Sequence, residues 1–162
     1  MRIGVISDTH IPEQAQEIPR QILEAFKSVD MIVHAGDLVD LGVLRLLEAC
    51  CSNVKAVWGN MDPQPVRDVL LEREIFMAAG FKVGLTHGCG RPAKLLELIK
   101  EDFKKDKPDL VIFGHSHTAV NITQDRTIYF NPGSPTDKVF AAYNSYGIIE
   151  IRDKIEPQIF KI

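Results

Sequence analysis

Side chains able to bind metal ions stand directly after the predicted strands in the first two-thirds of this 162-residue chain. They recur roughly every 23 to 28 residues, about the length of one strand–helix unit. The set consists of Asp8, His10, Asp37, Asn60, His87, His115 and His117. Because parallel strands joined by right-handed crossovers end at the same edge of a sheet, we expect these side chains to converge on one site.

Two carboxylates, four imidazoles and one amide suit divalent ions that accept nitrogen and oxygen ligands. Seven side chains exceed the needs of one tetrahedral ion, so they predict two ions, an arrangement that recurs in enzymes that cleave phosphate esters. Glycine precedes three of the seven, at Asp37, Asn60 and His115, and lets the backbone pass close to the ions. The spacing of Asp8 and His10 predicts an extended segment with both side chains on one side, and His115 and His117 repeat that spacing.

Short β-rich runs and amphipathic helical patterns alternate in the elements that must position these residues. Strands are predicted at 2–7, 31–34, 54–57, 81–86 and 110–113, and helices at 18–27, 38–50 and 92–104. Between them lie a Pro63/Pro65 loop and a less regular stretch over 69–79. The last third predicts a hairpin of 119–123 with 127–130, then short strands at 139–143, 146–151 and 157–162.

These elements predict an α/β (α+β) fold in which two mixed β-sheets are flanked by helices, a four-layer α-β-β-α sandwich. The length fits a single domain over residues 1–162. The strand-rich last third could supply a self-pairing edge, so a homo-oligomer is a further expectation.

Composition and charge exclude several classes of protein. The formal net charge is −3, whereas a general nucleic-acid-binding domain is normally basic, so nucleic acid is not an expected partner. No apolar run approaches the ~18 residues of a membrane span, and no secretory cleavage pattern precedes the first strand. Three cysteines without a CxxC motif predict neither a disulfide framework nor a cysteine-zinc site. We therefore expect a cytoplasmic protein.

Five short blocks, in order, resemble the signature of the calcineurin-like metallophosphoesterases. The blocks are Asp8-Thr9-His10, Gly36-Asp37, Gly59-Asn60-Met61-Asp62, His87-Gly88 and Gly114-His115-Ser116-His117. Together with Asn131-Pro132-Gly133-Ser134 and the short length, they make the chain similar to the small prokaryotic YfcE-like phosphodiesterase branch over residues 1 to about 135. The fold of that family, two sheets flanked by helices, agrees with the expectation from the elements.

The resemblance implies a role for each of the seven residues. One ion would be held by Asp8, His10 and His117, the other by Asn60, His87 and His115, with Asp37 bridging the two. Asp37, Asn60 and His87 would be catalytic through the positioning of metal and phosphate. Mn²⁺ is the favoured ion, although Fe, Ni²⁺, Co²⁺ and Zn²⁺ accept the same ligands.

These ligands predict a phosphoesterase, and most specifically a phosphodiesterase, that acts on a small-molecule phosphate ester. Two divalent ions outweigh the two carboxylates and a bridging hydroxide by one positive charge, which attracts an anion and stabilises charge on the phosphoryl oxygens. The ions also lower the pKa of the bridging water, so that hydroxide can attack phosphorus in line. The residues leave open a phosphomonoesterase, a nuclease with the same site, and a non-catalytic metal-binding scaffold such as the retromer subunit of related fold.

One position departs from the family pattern. Met61 stands where many members have a histidine that protonates the leaving group. Loss of a positioned general acid costs roughly 10²–10⁴-fold when the leaving group is basic, so we expect either a preference for activated aryl esters or a natural substrate that supplies its own proton. Asp62, which normally supports that histidine, is expected to form a turn with Pro63.

Three further features have a structural interpretation. We expect His34 to be a core histidine or to support the ligands, and Cys89 to serve packing or to be incidental. The turn Asn131–Ser134 is either purely structural or presents backbone N–H groups to a phosphate.

Overall fold

Two five-stranded mixed β-sheets form the centre of the protein in a computed structural model that describes residues 1–162. The strands are β1 (Arg2–Ile6), β2 (Met31–Ala35), β3 (Val54–Val57), β4 (Arg73–Ala78), β5 (Phe81–Thr86), β6 (Leu110–Ile112), β7 (Val120–Gln124), β8 (Thr127–Asn131), β9 (Ser145–Ile151) and β10 (Ile155–Lys161). The helices are α1 (Arg20–Phe26), α2 (Gly42–Glu48), α3 (Gln64–Arg67) and α4 (Pro92–Phe103). None of these helices has the length and apolar character needed to cross a membrane.

The two ends of the chain meet in the first sheet, whose strand order is β10-β9-β1-β2-β3. Strands β1, β2 and β3 are parallel, and the C-terminal hairpin β9–β10 adds to β1 in antiparallel fashion. The second sheet has the order β4-β5-β6-β8-β7, with a parallel centre and antiparallel edge strands. Both sheets are therefore mixed, as predicted.

Alternation along β1 shows how the layers are built. Ile3 and Val5 point into a core of 15 buried residues between the two sheets, where Phe130 of β8 also lies. Ile6 points to the opposite face and joins a second core. Gly4 faces that side too, and its lack of a side chain leaves room for the ring of Phe26 in α1. A strand that is buried on both faces has a continuous run of apolar residues in its sequence.

Helices cover the outer face of each sheet. Helices α1 and α2 bury Ile22, Phe26, Val43 and Leu47 against the first sheet. Helix α4 buries Leu95, Ile99 and Phe103, spaced four residues apart on one helical face, against the second sheet. The predicted four-layer α-β-β-α sandwich is confirmed.

Loops after the parallel strands are tied together by backbone hydrogen bonds. The N–H of Asp8 donates to the carbonyl of Gly36 at 3.0 Å, and the N–H of His10 donates to the carbonyl of Asp37 at 3.0 Å. In the second sheet, the N–H of Gly114 donates to the carbonyl of His87 at 3.2 Å. These bonds join the loop after β1 to the loop after β2, and the loop after β5 to the loop after β6.

Three element predictions were wrong. Residues 73–78 form strand β4 within the stretch expected to be irregular, and residues 64–67 form the short helix α3 within the expected proline loop. Residues 139–143 form a loop instead of a strand. There the carboxylate of Asp137 accepts the N–H groups of Val139, Phe140 and Ala141, so these donors are not available to a strand partner.

Candidate metal centre

Two carboxylates, Asp8 and Asp37, are buried at the carboxyl ends of the neighbouring strands β1 and β2. Their oxygens and a ring nitrogen of His87 all lie within 4.8 Å of one another. Asp8 belongs equally to a second such group with His10 and His117. The only cationic side chains within 4.0 Å of the two carboxylates are imidazoles, and no lysine or arginine is among them. Buried like charges require a compensating positive charge, and this donor set fits a divalent cation.

The imidazoles face these carboxylates through the same ring nitrogen, Nε2. The Nε2 atom of His117 lies 3.4 Å from Oδ1 of Asp8, and that of His87 lies 3.3 Å from Oδ2 of Asp37. The Nε2 atom of His10 lies 3.7 Å from Asp37 Oδ2 and 3.2 Å from His117 Nε2. Nitrogen and oxygen donors from four separated segments thus point at one small volume.

When no ion is bound, the contacts among these side chains determine which of them carry protons. Burial opposes ionisation of Asp8 and Asp37, but hydrogen bonds and the charges of nearby imidazoles outweigh it and lower the pKa of both carboxyls. Burial likewise opposes charging of His87 and His117, yet the same carboxylates raise the pKa of each ring to about 9. A cation bound here must therefore displace protons from these rings, which makes its affinity increase with pH.

Asn60 and His115 complete the predicted set at its more exposed rim. Oδ1 of Asn60 lies 3.2 Å from His87 Nε2 and 2.8 Å from His115 Nδ1. The other ring nitrogen of His115 lies 2.8 Å from the carbonyl oxygen of Gly90, so this ring contacts no carboxylate. Its backbone N–H donates to the Asp8 carboxylate at 3.1 Å. All seven predicted side chains are therefore brought to one place.

Five of the seven residues have a left-handed backbone, which non-glycine residues rarely adopt. They are Asp8 (φ 54°), His10 (φ 43°), Asp37 (φ 56°), His115 (φ 71°) and His117 (φ 54°). The prediction that the two paired motifs are extended segments was wrong, because sharp turns rather than a strand bring each pair together. Such conformations cost about 1–3 kcal/mol each and persist where surrounding contacts hold them, most often at functional sites.

The backbone passes close to the candidate ligands at the glycines that precede three of the seven residues, which agrees with the prediction from the sequence. A Cβ at Gly36 would lie 2.6 Å from Nδ1 of His87, and Gly36 itself has a φ of 91°. A Cβ at Gly59 would clash with the carboxylate of Asp37. Larger residues at these two positions would displace the donors.

Asp62 does more than form the expected local turn. Its carboxylate accepts the backbone N–H groups of Gly59 at 2.7 Å, Asp37 at 2.9 Å and Val39 at 2.6 Å. It thereby joins the loop after β3 to the loop after β2. Met61, next to it, donates its N–H to Oδ1 of Asp37 at 2.7 Å, and its side chain is 51% exposed and carries no acidic proton.

Asp137 is a site residue that the sequence did not indicate. The Nδ1–H of His117 donates to its carboxylate at 2.6 Å, which fixes the ring and turns Nε2 towards Asp8. Asp137 follows the turn Asn131–Ser134, where the hydroxyl of Ser134 donates to the carbonyl of Asp8 at 2.7 Å. That turn therefore has a structural role in holding the β1 loop. Among the motifs of the sequence, this turn lies nearest to Asp137, which itself follows no predicted strand.

His34 and Cys89 have contrasting surroundings. His34 is fully buried, with Nε2 3.1 Å from the hydroxyl of Thr9, while Nδ1 contacts no polar group of the protein. Burial lowers the pKa of His34 to about 3. Cys89 is exposed, so it does not serve core packing, and it lines a cavity of about 420 Å³ beside Asn60 and His87.

Comparison with known proteins gives a consistent family match. Residues 1–154 match the family described as the calcineurin-like phosphoesterase superfamily domain. A probable metallophosphoesterase of Methanothermobacter thermautotrophicus is 39% identical over 136 residues, which cover 84% of this chain and 78% of that protein. A phosphodiesterase of Methanocaldococcus jannaschii is 31% identical over 148 residues, 82% of this chain and 83% of that protein. Vps29 of Entamoeba histolytica, solved with zinc, shares the fold with a TM-score of 0.79 at 23% identity, over 99% of both chains.

The low pKa of His34 predicts acid destabilisation. Below pH 6.5 the unfolded chain protonates this histidine whereas the folded protein does so only near pH 3, so stability falls as the pH falls through this window. Relative to His34→Gln, the metal-free wild type should lose about 1 kcal/mol of unfolding free energy between pH 6.5 and 5.5, and the loss approaches about 1.4 kcal/mol per pH unit below that. Urea unfolding at pH 7.5, 6.5 and 5.5 measures the difference, and a difference that does not change with pH would contradict the assignment.

Because Asp137 orients the ring of His117, we expect Asp137 to contribute to metal affinity. Asp137→Asn weakens the acceptor for Nδ1–H, and loss of such a supporting contact typically lowers metal affinity about 10–100-fold. Mn²⁺ titration by calorimetry checks this. Asp153→Asn, an exposed aspartate in the β9–β10 turn, is the matched control and should bind like wild type. Wild-type affinity in Asp137→Asn would show that the contact does not orient a ligand.

Proposed function

The chain belongs to the calcineurin-like phosphoesterase superfamily, and we propose that it is a metal-dependent phosphodiesterase whose centre holds two divalent ions. The observation that carries the proposal is the pair of buried carboxylates, Asp8 and Asp37, whose only cationic partners within 4.0 Å are imidazoles. Without a cation, this arrangement keeps protons on His87 and His117 to balance the charge. Divalent ions would replace those protons.

The seven side chains that converge at the strand ends would hold the ions. One ion would take Asp8, His10 and His117, the other Asn60, His87 and His115, with Asp37 between them. When bound, such ions supply activated water and positive charge that stabilises the phosphoryl oxygens in the transition state. Mn²⁺ is the favoured occupant, because carboxylate and amide oxygens suit it, although Fe, Ni²⁺, Co²⁺ and Zn²⁺ accept the same ligand set.

Residues of the chain itself prepare this centre. The carbonyl of Ala35 accepts from Nδ1 of His87 at 2.8 Å, and Asp137 accepts from Nδ1 of His117, so both rings present Nε2 to the carboxylates. The N–H of Met61 holds Oδ1 of Asp37, which leaves Oδ2 facing His10 and His87. Donors fixed in this way lose little freedom on binding an ion, which favours both affinity and geometry.

A diester rather than a monoester is the proposed substrate class. The centre with two ions carries a small net positive charge, which a monoanionic diester balances. The relative from Methanocaldococcus jannaschii is named a phosphodiesterase, which supports the same class. Met61 provides no proton for the leaving group, so substrates with acidic leaving groups should react fastest.

Hydrolysis of two p-nitrophenyl esters tests the proposal. Protein stripped of metal and reloaded with Mn²⁺ should cleave bis-p-nitrophenyl phosphate with a higher kcat/KM than p-nitrophenyl phosphate. Asp37→Asn should lower kcat/KM for the diester about 100-fold or more, because it removes a charge between the two ions. Asp153→Asn should be unaffected.

Other results of this experiment would change the proposed function. A preference for the monoester would make the protein a phosphatase with the same centre. No turnover of either ester, with two ions bound per chain, would favour a metal-binding interaction scaffold. An active, metal-loaded Asp37→Asn protein would contradict the role given to that carboxylate.

Substitution of Met61 tests the missing proton donor. Met61→His should raise kcat for a diester with a basic alkoxide leaving group, such as 2′,3′-cyclic AMP, by about 10²-fold or more. It should change kcat for bis-p-nitrophenyl phosphate little, since that leaving group needs no proton. Met61→Leu is the matched control, and equal rates in the two variants on the cyclic nucleotide would disprove the explanation.

A further inference from the structure

An exposed aromatic side chain, Phe140, lies against the ring of His117. The two ring centroids are 6.2 Å apart and the planes meet at 74°, an edge-to-face contact. Phe140 is nevertheless 75% exposed, so this contact buries little of its ring. A large apolar surface therefore stands open to solvent directly beside a candidate metal ligand.

The loop that carries Phe140 is held in place by hydrogen bonds. The carboxylate of Asp137 accepts N–H groups from Val139 at 2.8 Å, Phe140 at 3.1 Å and Ala141 at 2.9 Å. The side chain of Asn144 donates to the carbonyl of Asp137 at 2.6 Å and closes the loop. Because Asp137 also binds His117, the same carboxylate sets the position of the aromatic ring relative to the metal centre. An aromatic ring that is already positioned costs less entropy when it binds a ligand.

The two halves of the centre have different neighbours. His117 groups with Asp8 and His10, and Phe140 flanks this half. Met61 follows Asn60, which contacts the imidazoles of the other half. In the proposed reaction the leaving group lies at the Met61 position, so Phe140 borders the other substituent of phosphorus.

We propose that Phe140 forms a subsite for the ester group that a phosphodiester retains after cleavage, and that this group carries an aromatic ring. The inference rests on the proposed function, since it assigns a substrate group to the same centre. Contacts between aromatic rings add to the free energy gained from apolar burial. A phosphomonoester has no retained ester group, so this subsite also favours diesters over monoesters.

Kinetics with two diesters that share a leaving group test the subsite. Bis-p-nitrophenyl phosphate retains an aryl group, and methyl p-nitrophenyl phosphate retains a methyl group, while both release p-nitrophenolate. In Mn²⁺-loaded protein, Phe140→Ala should raise KM about 5–10-fold for the first and change it less than about twofold for the second, with kcat unaltered. Phe140→Tyr keeps the ring and should restore the low KM.

The matched control is Met77→Ala, which removes another exposed apolar side chain, 60% exposed, from β4. Met77 pairs with Lys82, at the opposite end of β5 from His87, and should alter neither KM. A KM increase of equal size with both diesters, or with neither, would overturn the assignment of the retained group. A fall in bound Mn²⁺ in Phe140→Ala would overturn it too, because Phe140 would then act on His117 itself.

Equilibrium binding separates this inference from the proposed function. Calorimetry on Mn²⁺-loaded protein should show that diphenyl phosphate binds at least about fivefold more tightly than dimethyl phosphate, and that Phe140→Ala removes the difference. The binding preference without any turnover would overturn only the proposed function. Turnover without the binding preference would overturn only the subsite.

Discussion

Burial of two like-charged carboxylates at one sheet edge is the constraint on which the rest of the structure depends. Asp8 and Asp37 have almost no contact with solvent, and each raises the free energy of charging the other. Imidazoles are the only cationic side chains within 4.0 Å, and two of them, His87 and His117, have a pKa raised to about 9 when no ion balances the carboxylates. Without an ion the protons on these two rings balance the two carboxylates, and a divalent cation would replace them. The fold contributes by placing no lysine or arginine within 4.0 Å of either carboxylate.

The backbone that carries these carboxylates is strained, and contacts from several other residues stabilise it. Asp8 and Asp37 both have left-handed φ angles, which the surrounding hydrogen bonds must stabilise. Asp62 accepts three backbone N–H groups from two loops, and Ser134 holds the carbonyl of Asp8. Gly36 has no side chain where any Cβ would meet His87. Each support lies far in sequence from part of what it holds, so the centre is a product of the whole sandwich.

The carboxylate of Asp137 contacts both a candidate metal ligand, His117, and the loop that carries Phe140. Asp137 binds the imidazole and also the backbone of the loop that presents Phe140. On the other side, Met61 replaces a proton donor with an apolar, half-exposed side chain. In the proposed reaction both features would favour substrates with apolar substituents and acidic leaving groups. The candidate ligands would then define the reaction class, and the residues around them would define which esters react.

Sequence alone indicated the candidate ligand set and determined the layered fold, because both leave local signals along the chain. Apolar runs mark the strands, and the polar residues that follow them mark the shared edge where Asp8 and His87 meet. Tertiary structure alone decided the rest: strand β4, the left-handed turns, and the roles of Asp62 and Asp137. A prediction of a strand over 139–143 failed because this apolar run contains no record of the Asp137 carboxylate that accepts its N–H groups. Periodicity reports which face of an element is buried. Bonds between a side chain and a distant backbone have no period, so only the folded chain reveals them.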